Sequence, residues 1–174
     1  MRSVFQRLYE TYHQDVFQFI FYIVKNKETA EDLMQEVYIK VLYSYDRFEG
    51  KSSERTWLYS IARNTAIDHF RKRKNWLHRM MHNFDWNRES VPDQQPLPEE
   101  VALLQDEIKM IYKSLDRCTM DQKMVIILRY VQSLSITETA DILGWTISKV
   151  KTTQHRALKV VRRALEETEG GRGL

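Results

Sequence analysis

Apolar residues recur at helical spacing almost from the start of the chain. Val4, Leu8 and Tyr12 form one stripe; Val16, Phe17, Ile20, Ile23 and Val24 a second; Leu33, Val37 and Val41 a third; Trp57, Leu58, Ile61, Ala62 and Ile67 a fourth. These stripes predict four helices, with breaks at Lys27-Glu28-Thr29 and from Asp46 to Ser53, where Gly50 stands. The stretch Asp85 to Pro98 then holds all three prolines and little apolar periodicity, so it reads as a linker. Beyond it Val101, Leu104, Ile108, Ile111, Tyr112 and Leu115 renew the helical stripe. Asp121 is expected to cap a helix over the apolar run Met124 to Tyr130, followed by two short helices and a longer basic one, with a frayed tail from Gly170. The pattern predicts an all-α chain of two small helical domains, residues 1–84 and 101–174, joined by a flexible linker at 85–100.

Composition narrows this reading. Five glycines and three prolines in 174 residues leave few breaks, which favours long helices over strands. The single Cys118 leaves no internal disulfide and no Cys-x-x-Cys zinc framework, which fits a reducing cytoplasm. The N-terminal stretch meets Arg7, Glu10 and Asp15 early, so it resembles neither a signal peptide nor a membrane anchor. Net charge is only +3, yet its distribution is uneven: residues 1–84 carry 14 basic against 10 acidic side chains, residues 85–105 carry 1 against 5, and residues 106–174 carry 12 against 9. Two mildly basic lobes thus flank an acidic connector.

Between Ile136 and Arg156 the chain carries the register of a helix-turn-helix. Ala140 lets two helices approach, Gly144 accepts the positive φ of a sharp turn, and Val150 closes the underside, which Leu143 and Ile147 are expected to fill as well. Thr146 can cap the second helix. Outward on that helix lie Ser148, Lys149, Lys151, Thr152, Thr153, His155, Arg156 and Lys159, and no acidic residue occurs from Thr146 through Ala164. Such a face suits phosphates and base edges, and Arg156 can grip a guanine edge with two hydrogen bonds.

In the N-terminal lobe, Asp32, Gln35 and Glu36 cluster on a polar helix face. Downstream run Phe48-Glu49-Gly50-Lys51-Ser52-Ser53-Glu54-Arg55-Thr56-Trp57-Leu58-Tyr59-Ser60-Ile61-Ala62-Arg63-Asn64-Thr65-Ala66-Ile67-Asp68-His69-Phe70-Arg71-Lys72-Arg73-Lys74. With these residues the chain resembles an extracytoplasmic-function (ECF) sigma factor, a promoter-recognition subunit of bacterial RNA polymerase. The helix from Glu31 to Leu42 is similar to the family's region 2.2, the stretch just quoted to regions 2.3 and 2.4, and Asp121 to Leu165 to region 4.

The resemblance implies a non-enzymatic protein without cofactors that directs core RNA polymerase to promoter DNA. It implies that Asp32, Leu33, Gln35 and Glu36 dock on the clamp coiled coil of the polymerase largest subunit. Phe48, Lys51, Ser52 and Ser53 would belong to a loop capturing a base flipped from the −10 element, with Asn64, Ile67, Asp68, Arg71 and Lys72 along the adjacent strand. Lys151, Thr152, His155 and Arg156 would read the −35 element. The run Ser148 to His155 departs from the Gly-Thr-Val and more basic sequence of many relatives, so no base preference carries over. Family habit adds a membrane-anchored anti-sigma factor and a monomeric, cytoplasmic chain.

Bottom-up, Asn64, Asp68, Arg71 and Lys72 fall near one helix face and offer amide, carboxylate and cationic groups. Trp57 shares an apolar stripe with Ile61 and is expected in the core, whereas Tyr59 suits either core or stacking. A dimeric helix-turn-helix regulator is the rival reading, and would bind a duplex palindrome unaided. A metal held by His78 and His82 is disfavoured, because the glutamate that a His-Glu-x-x-His pattern needs is Arg79 here.

Overall fold

The computed structural model describes residues 3–80, 99–103 and 105–171, and among them it is helical throughout, with no strand. The N-terminal lobe contains three long helices rather than four: α1 (Val4–Val24), α2 (Lys27–Ser44) and α3 (Glu54–Met80). The two first stripes belong to one continuous helix, because nothing between Tyr12 and Val16 interrupts the backbone ladder. The first break falls at Lys25, whose left-handed φ of 54° ends α1, and Asn26 then caps α2 by accepting from the Thr29 N–H at 2.9 Å.

Of the linker expected at 85–100, residues 85–98 lie outside the described residues; its last two positions, Glu99 and Glu100, open a helical turn, α4 (Glu99–Ala102). The C-terminal lobe follows with α5 (Asp106–Ser114), α6 (Met120–Ile126), α7 (Ile136–Leu143) and α8 (Ile147–Gly170). Thr119, not Asp121, caps α6: its hydroxyl accepts from the Gln122 N–H while Gln122 reaches back to the Thr119 N–H, a reciprocal pair that a carboxylate inside the first turn cannot make. Past α6 the chain widens into a π-helical turn at Ile127–Val131. Helix α8 runs through Gly170, so the expected fraying does not begin there.

Phe19, Ile20, Val37, Leu58 and Ala62 are fully buried where α1, α2 and α3 meet, and Leu115, Val125, Ile127, Leu128, Val150 and Ala157 do the same for the second lobe. The lobes touch. The Lys25 ammonium donates at 2.7 Å to both the Tyr112 carbonyl and the Asp116 carboxylate and lies 4.3 Å over the Tyr112 ring. Burial pushes this ammonium below the ordinary lysine range, an effect opposed by Asp116. The same desolvation pushes the Tyr112 phenol up to about 12. No helix among the described residues is long and apolar enough to cross a membrane.

Candidate nucleic-acid interface

The helix-turn-helix is assembled from local chemistry. Ser135 and Glu138 form a reciprocal cap on α7: the Ser135 hydroxyl accepts from the Glu138 N–H, and the Glu138 carboxylate accepts from the Ser135 N–H at 2.8 Å. These bonds hold the Glu138 carboxyl below its usual range. Gly144 ends α7 with φ of 66°, and the Trp145 N–H returns to the Ala140 carbonyl at 3.0 Å. Thr146 then caps α8 through the Lys149 N–H, as its place in the sequence predicts. Ala140, Leu143 and Val150 are buried at the helix crossing.

Ile147 departs from expectation. It is 45% exposed in the first turn of α8, where Val150 is the buried residue, and so adds an apolar patch to the exposed surface instead of filling the underside. On that face Ser148, Lys149, Lys151, Thr152, His155, Arg156 and Lys159 are exposed, while Thr153 is half-buried. The Lys149 ammonium sits 4.0 Å over the Trp145 ring, which braces it at the start of the helix. Gln154 accepts from Arg129 at 2.9 Å, and Arg129 also donates to the Leu134 carbonyl, so α8 is tied to the preceding turn. The result is a rigid cationic surface of helical pitch.

In the first lobe, Ser53 precedes α3 and caps it, its hydroxyl accepting from the Thr56 N–H at 3.1 Å. Ser53 therefore stabilises the helix start as well as ending the predicted capture loop. Phe48 is half-buried, with its ring centroid 5.0 Å from that of Trp57, and Tyr45 packs edge-on to Trp57 at 5.9 Å. Trp57 is likewise half-buried against the core. Gly50 adopts φ of 68° at the loop tip, and Lys51 and Ser52 flank it, Lys51 exposed beside Glu49. Arg7 clamps the base of this loop with a two-pronged pair to Glu54 at 2.8 and 2.7 Å, and the Tyr45 hydroxyl donates to the same carboxylate at 3.0 Å. The Arg7 hydrogen bond, helped by Tyr45, holds the Glu54 carboxyl below its usual range against the contrary effect of burial.

Along α3, Asn64, Arg71 and Lys72 are exposed and Asp68 half-exposed, with Arg71 at 3.6 Å from Asp68 and Arg63 donating to the Asn64 amide oxygen at 3.0 Å. Ile67 instead packs against the core. Tyr59 is fully buried and does not reach the surface.

The acidic cluster on α2 is split. Asp32 and Gln35 are exposed and Glu36 is half-exposed beside Lys40 at 3.1 Å, but Leu33 is buried at 5% exposure, so it supports the helix from beneath and offers no docking surface. A groove of about 560 Å³ runs beside them, lined by Phe5, Tyr9, Met34, Gln35, Ile39 and Leu42 among others. Ile39 and Leu42 are more than half exposed. Sequence reasoning passed over these two because they sit in a helix whose apolar stripe was already filled; their excess over that stripe was the available signal. No group of three or more metal-binding side chains occurs among the described residues, and His82 lies outside them.

Comparison with known proteins agrees with this geometry. Residues 8–76 match the family described as Sigma-70 region 2, and residues 109–161 match Sigma-70, region 4. The chain is 57% identical to the ECF RNA polymerase sigma factor SigX of Bacillus subtilis (strain 168), over 95% of its own length and 86% of that protein's. It is 35% identical to the RNA polymerase sigma factor YlaC of the same strain, over 90% and 88%. Among solved structures it is similar to the sigma factor RpoE in complex with the anti-sigma factor NepR from Bartonella quintana, at 26% identity and a TM-score of 0.72 over 93% of this chain and 96% of that one. The fold is shared with CnrH in complex with the cytosolic domain of CnrY, at 18% identity and a TM-score of 0.67 over 94% and 88%.

Proposed function

This chain belongs to the extracytoplasmic-function sigma factors of bacterial RNA polymerase, and from that membership we propose how its surfaces divide the work of promoter recognition. Residues 1–84 bind core polymerase and the −10 element, residues 85–100 connect, and residues 101–174 hold the −35 element. The observation that carries this reading is the α8 face: seven exposed residues, four of them Lys or Arg, on a helix without an acidic side chain for its first eighteen residues. Lys149, Lys151 and Lys159 neutralise phosphates, and Arg156 with Thr152 and His155 reads base edges in the major groove.

On the −10 side, the Phe48 to Ser53 loop receives an unstacked base. Unstacking costs a few kcal/mol, so a pocket that rewards the separated base biases the duplex toward opening without bond chemistry. The protein acts as an initiation factor and not as an enzyme. The Arg7–Glu54–Tyr45 cluster holds that loop against α1. Asn64, Asp68, Arg71 and Lys72 line the strand beside it.

Core polymerase docks over Asp32, Gln35 and Glu36, and the groove beside them accepts apolar side chains of the same partner, an acidic rim around an apolar centre. The chain acts as a monomer in the cytoplasm, and a membrane-anchored anti-sigma factor holds it inactive; the complex of RpoE with the anti-sigma factor NepR supports an anti-sigma partner. Run-off transcription with purified core polymerase and a promoter library tests the whole: specific start sites must appear only when this chain is added.

A further inference from the structure

Two residues bracket the loop assigned to the opened base. Tyr45 starts the short 3-10 turn Tyr45–Arg47 that leads into it, and Glu54 is the first residue of α3 beyond it. Among the described residues the loop's own bonds are short-range ones: the Phe48 N–H returns to the Tyr45 carbonyl at 2.9 Å, Lys51 pairs with Glu49 at the exposed tip, and the Ser52 hydroxyl reaches the Ser53 carbonyl at 3.4 Å. Such a loop takes its shape from where the scaffold fixes its two ends. One carboxylate joins them. The Tyr45 hydroxyl donates to Glu54 at 3.0 Å, and Arg7, 47 positions away on α1, donates from both prongs of its guanidinium to the two Glu54 oxygens at 2.8 and 2.7 Å.

The fork matters for its geometry. A carboxylate held by one phenol can turn about its own bond, whereas a planar guanidinium fixes both oxygens at once, and with them the point at which the Tyr45 hydroxyl is anchored. The Tyr45 ring centroid lies 6.0 Å from that of Phe48 and 5.9 Å from that of Trp57, and Phe48 lies 5.0 Å from Trp57. In so close a group a shift of Tyr45 moves the ring of Phe48, the first residue of the loop. Arg7 itself stays outside the aromatic group. Its charge is answered by Glu54, so it reaches the loop through that carboxylate and not as a free cation offered to phosphate.

We propose that Arg7 is a positioning residue for −10 recognition: through Glu54 and Tyr45 it sets the spacing between the walls of the loop, and so how strongly an extruded base is preferred over an empty loop. The proposal rests on the −10 reading given above and deepens it. Arg7 touches no DNA in this scheme, so its contribution is selectivity for the captured base and not backbone affinity.

The test uses the complete chain bound to core polymerase and single strands carrying a −10 sequence selected by run-off transcription, either intact or with an abasic site stepped through each position. The wild type should lose most affinity at one position, the base that the loop takes. Arg7→Gln should shrink that difference about fivefold, while its affinity for the strand abasic at that position and the salt dependence of its binding stay as in the wild type. Arg7→Lys keeps the charge but only one prong, and should recover part of the difference. Tyr45→Phe should act in the same direction as Arg7→Gln, and Arg7→Gln should cost nothing further once Glu54→Ala has removed the shared carboxylate. A full difference retained by Arg7→Gln, an equal loss on every strand, a salt slope lowered by about one unit as for a phosphate contact, or additive losses with Glu54→Ala each overturns the proposal. A wild type indifferent to every abasic site would instead sink the −10 assignment beneath it.

Discussion

The buried phenol of Tyr59 on α3 donates a 2.6 Å hydrogen bond to the side-chain oxygen of Gln132, across the junction of the two lobes. Gln132 uses its amide nitrogen on the other side, donating to the Gln18 amide oxygen at 3.1 Å and the Asp15 carbonyl at 3.3 Å of α1, while its own carbonyl accepts from Arg55 at 3.2 Å. Gln132, placed by the π-helical turn before it, thus fastens one half of the molecule to the other beside the Lys25 contacts to Tyr112 and Asp116. Elements at −10 and −35 lie about 25 base pairs apart, or roughly 85 Å, while a compact chain of this length is about 40 Å across. On the division of labour proposed above, the fastened arrangement would not serve both at once.

Gln132→Leu should therefore loosen the lobes. It leaves the Tyr59 hydroxyl without its acceptor, at a cost of about 1 to 3 kcal/mol to the packed state, and small-angle scattering should report a larger radius. In a double-mutant cycle, Tyr59→Phe should cost stability in the wild type and almost none in the Gln132→Leu background. Additive losses would mean that the bond does not join the lobes energetically.

Gly144→Ala should destabilise the second lobe by about 1 to 2 kcal/mol. A methyl group there meets nothing within 4 Å, so the whole effect is the left-handed backbone at φ of 66°. Gly144→Asn should lose less, because asparagine tolerates that region. Urea unfolding of the two variants decides the order.

The two DNA and polymerase surfaces should separate by mutation. Arg156→Ala should weaken binding to −35 duplex by about 1 to 3 kcal/mol, and Asp32→Ala should lower affinity for core polymerase while leaving that duplex binding untouched. Measured titrations in which either variant fails both assays would point to a folding defect.

Acid should release the loop clamp. The folded Glu54 carboxyl is depressed chiefly by its hydrogen bond from Arg7, so its contribution is present at neutral pH and disappears as pH falls through that depressed value. Thermal melts from pH 7 down to pH 3 should show the wild type losing its advantage over Glu54→Gln on the acid side. A constant difference across the range would count against the clamp.

Much of this protein could be read before folding it. Helical spacing, the proline-rich gap, and the Ala140–Gly144–Val150 register are local properties, since turn geometry and capping depend on neighbours in sequence, and they determined the helical class and the helix-turn-helix. The side of a helix that ends up covered is not local. Leu33 turned inward because α2 packs on α1 and α3, Ile147 turned outward because α7 crosses α8 one turn later, and Tyr59 was withdrawn from any surface role by a partner 73 residues away. Sequence alone supplied the candidates for contact with nucleic acid and polymerase. Tertiary contact decided which of them reach solvent, because burial is set by neighbouring elements whose approach no single helix encodes.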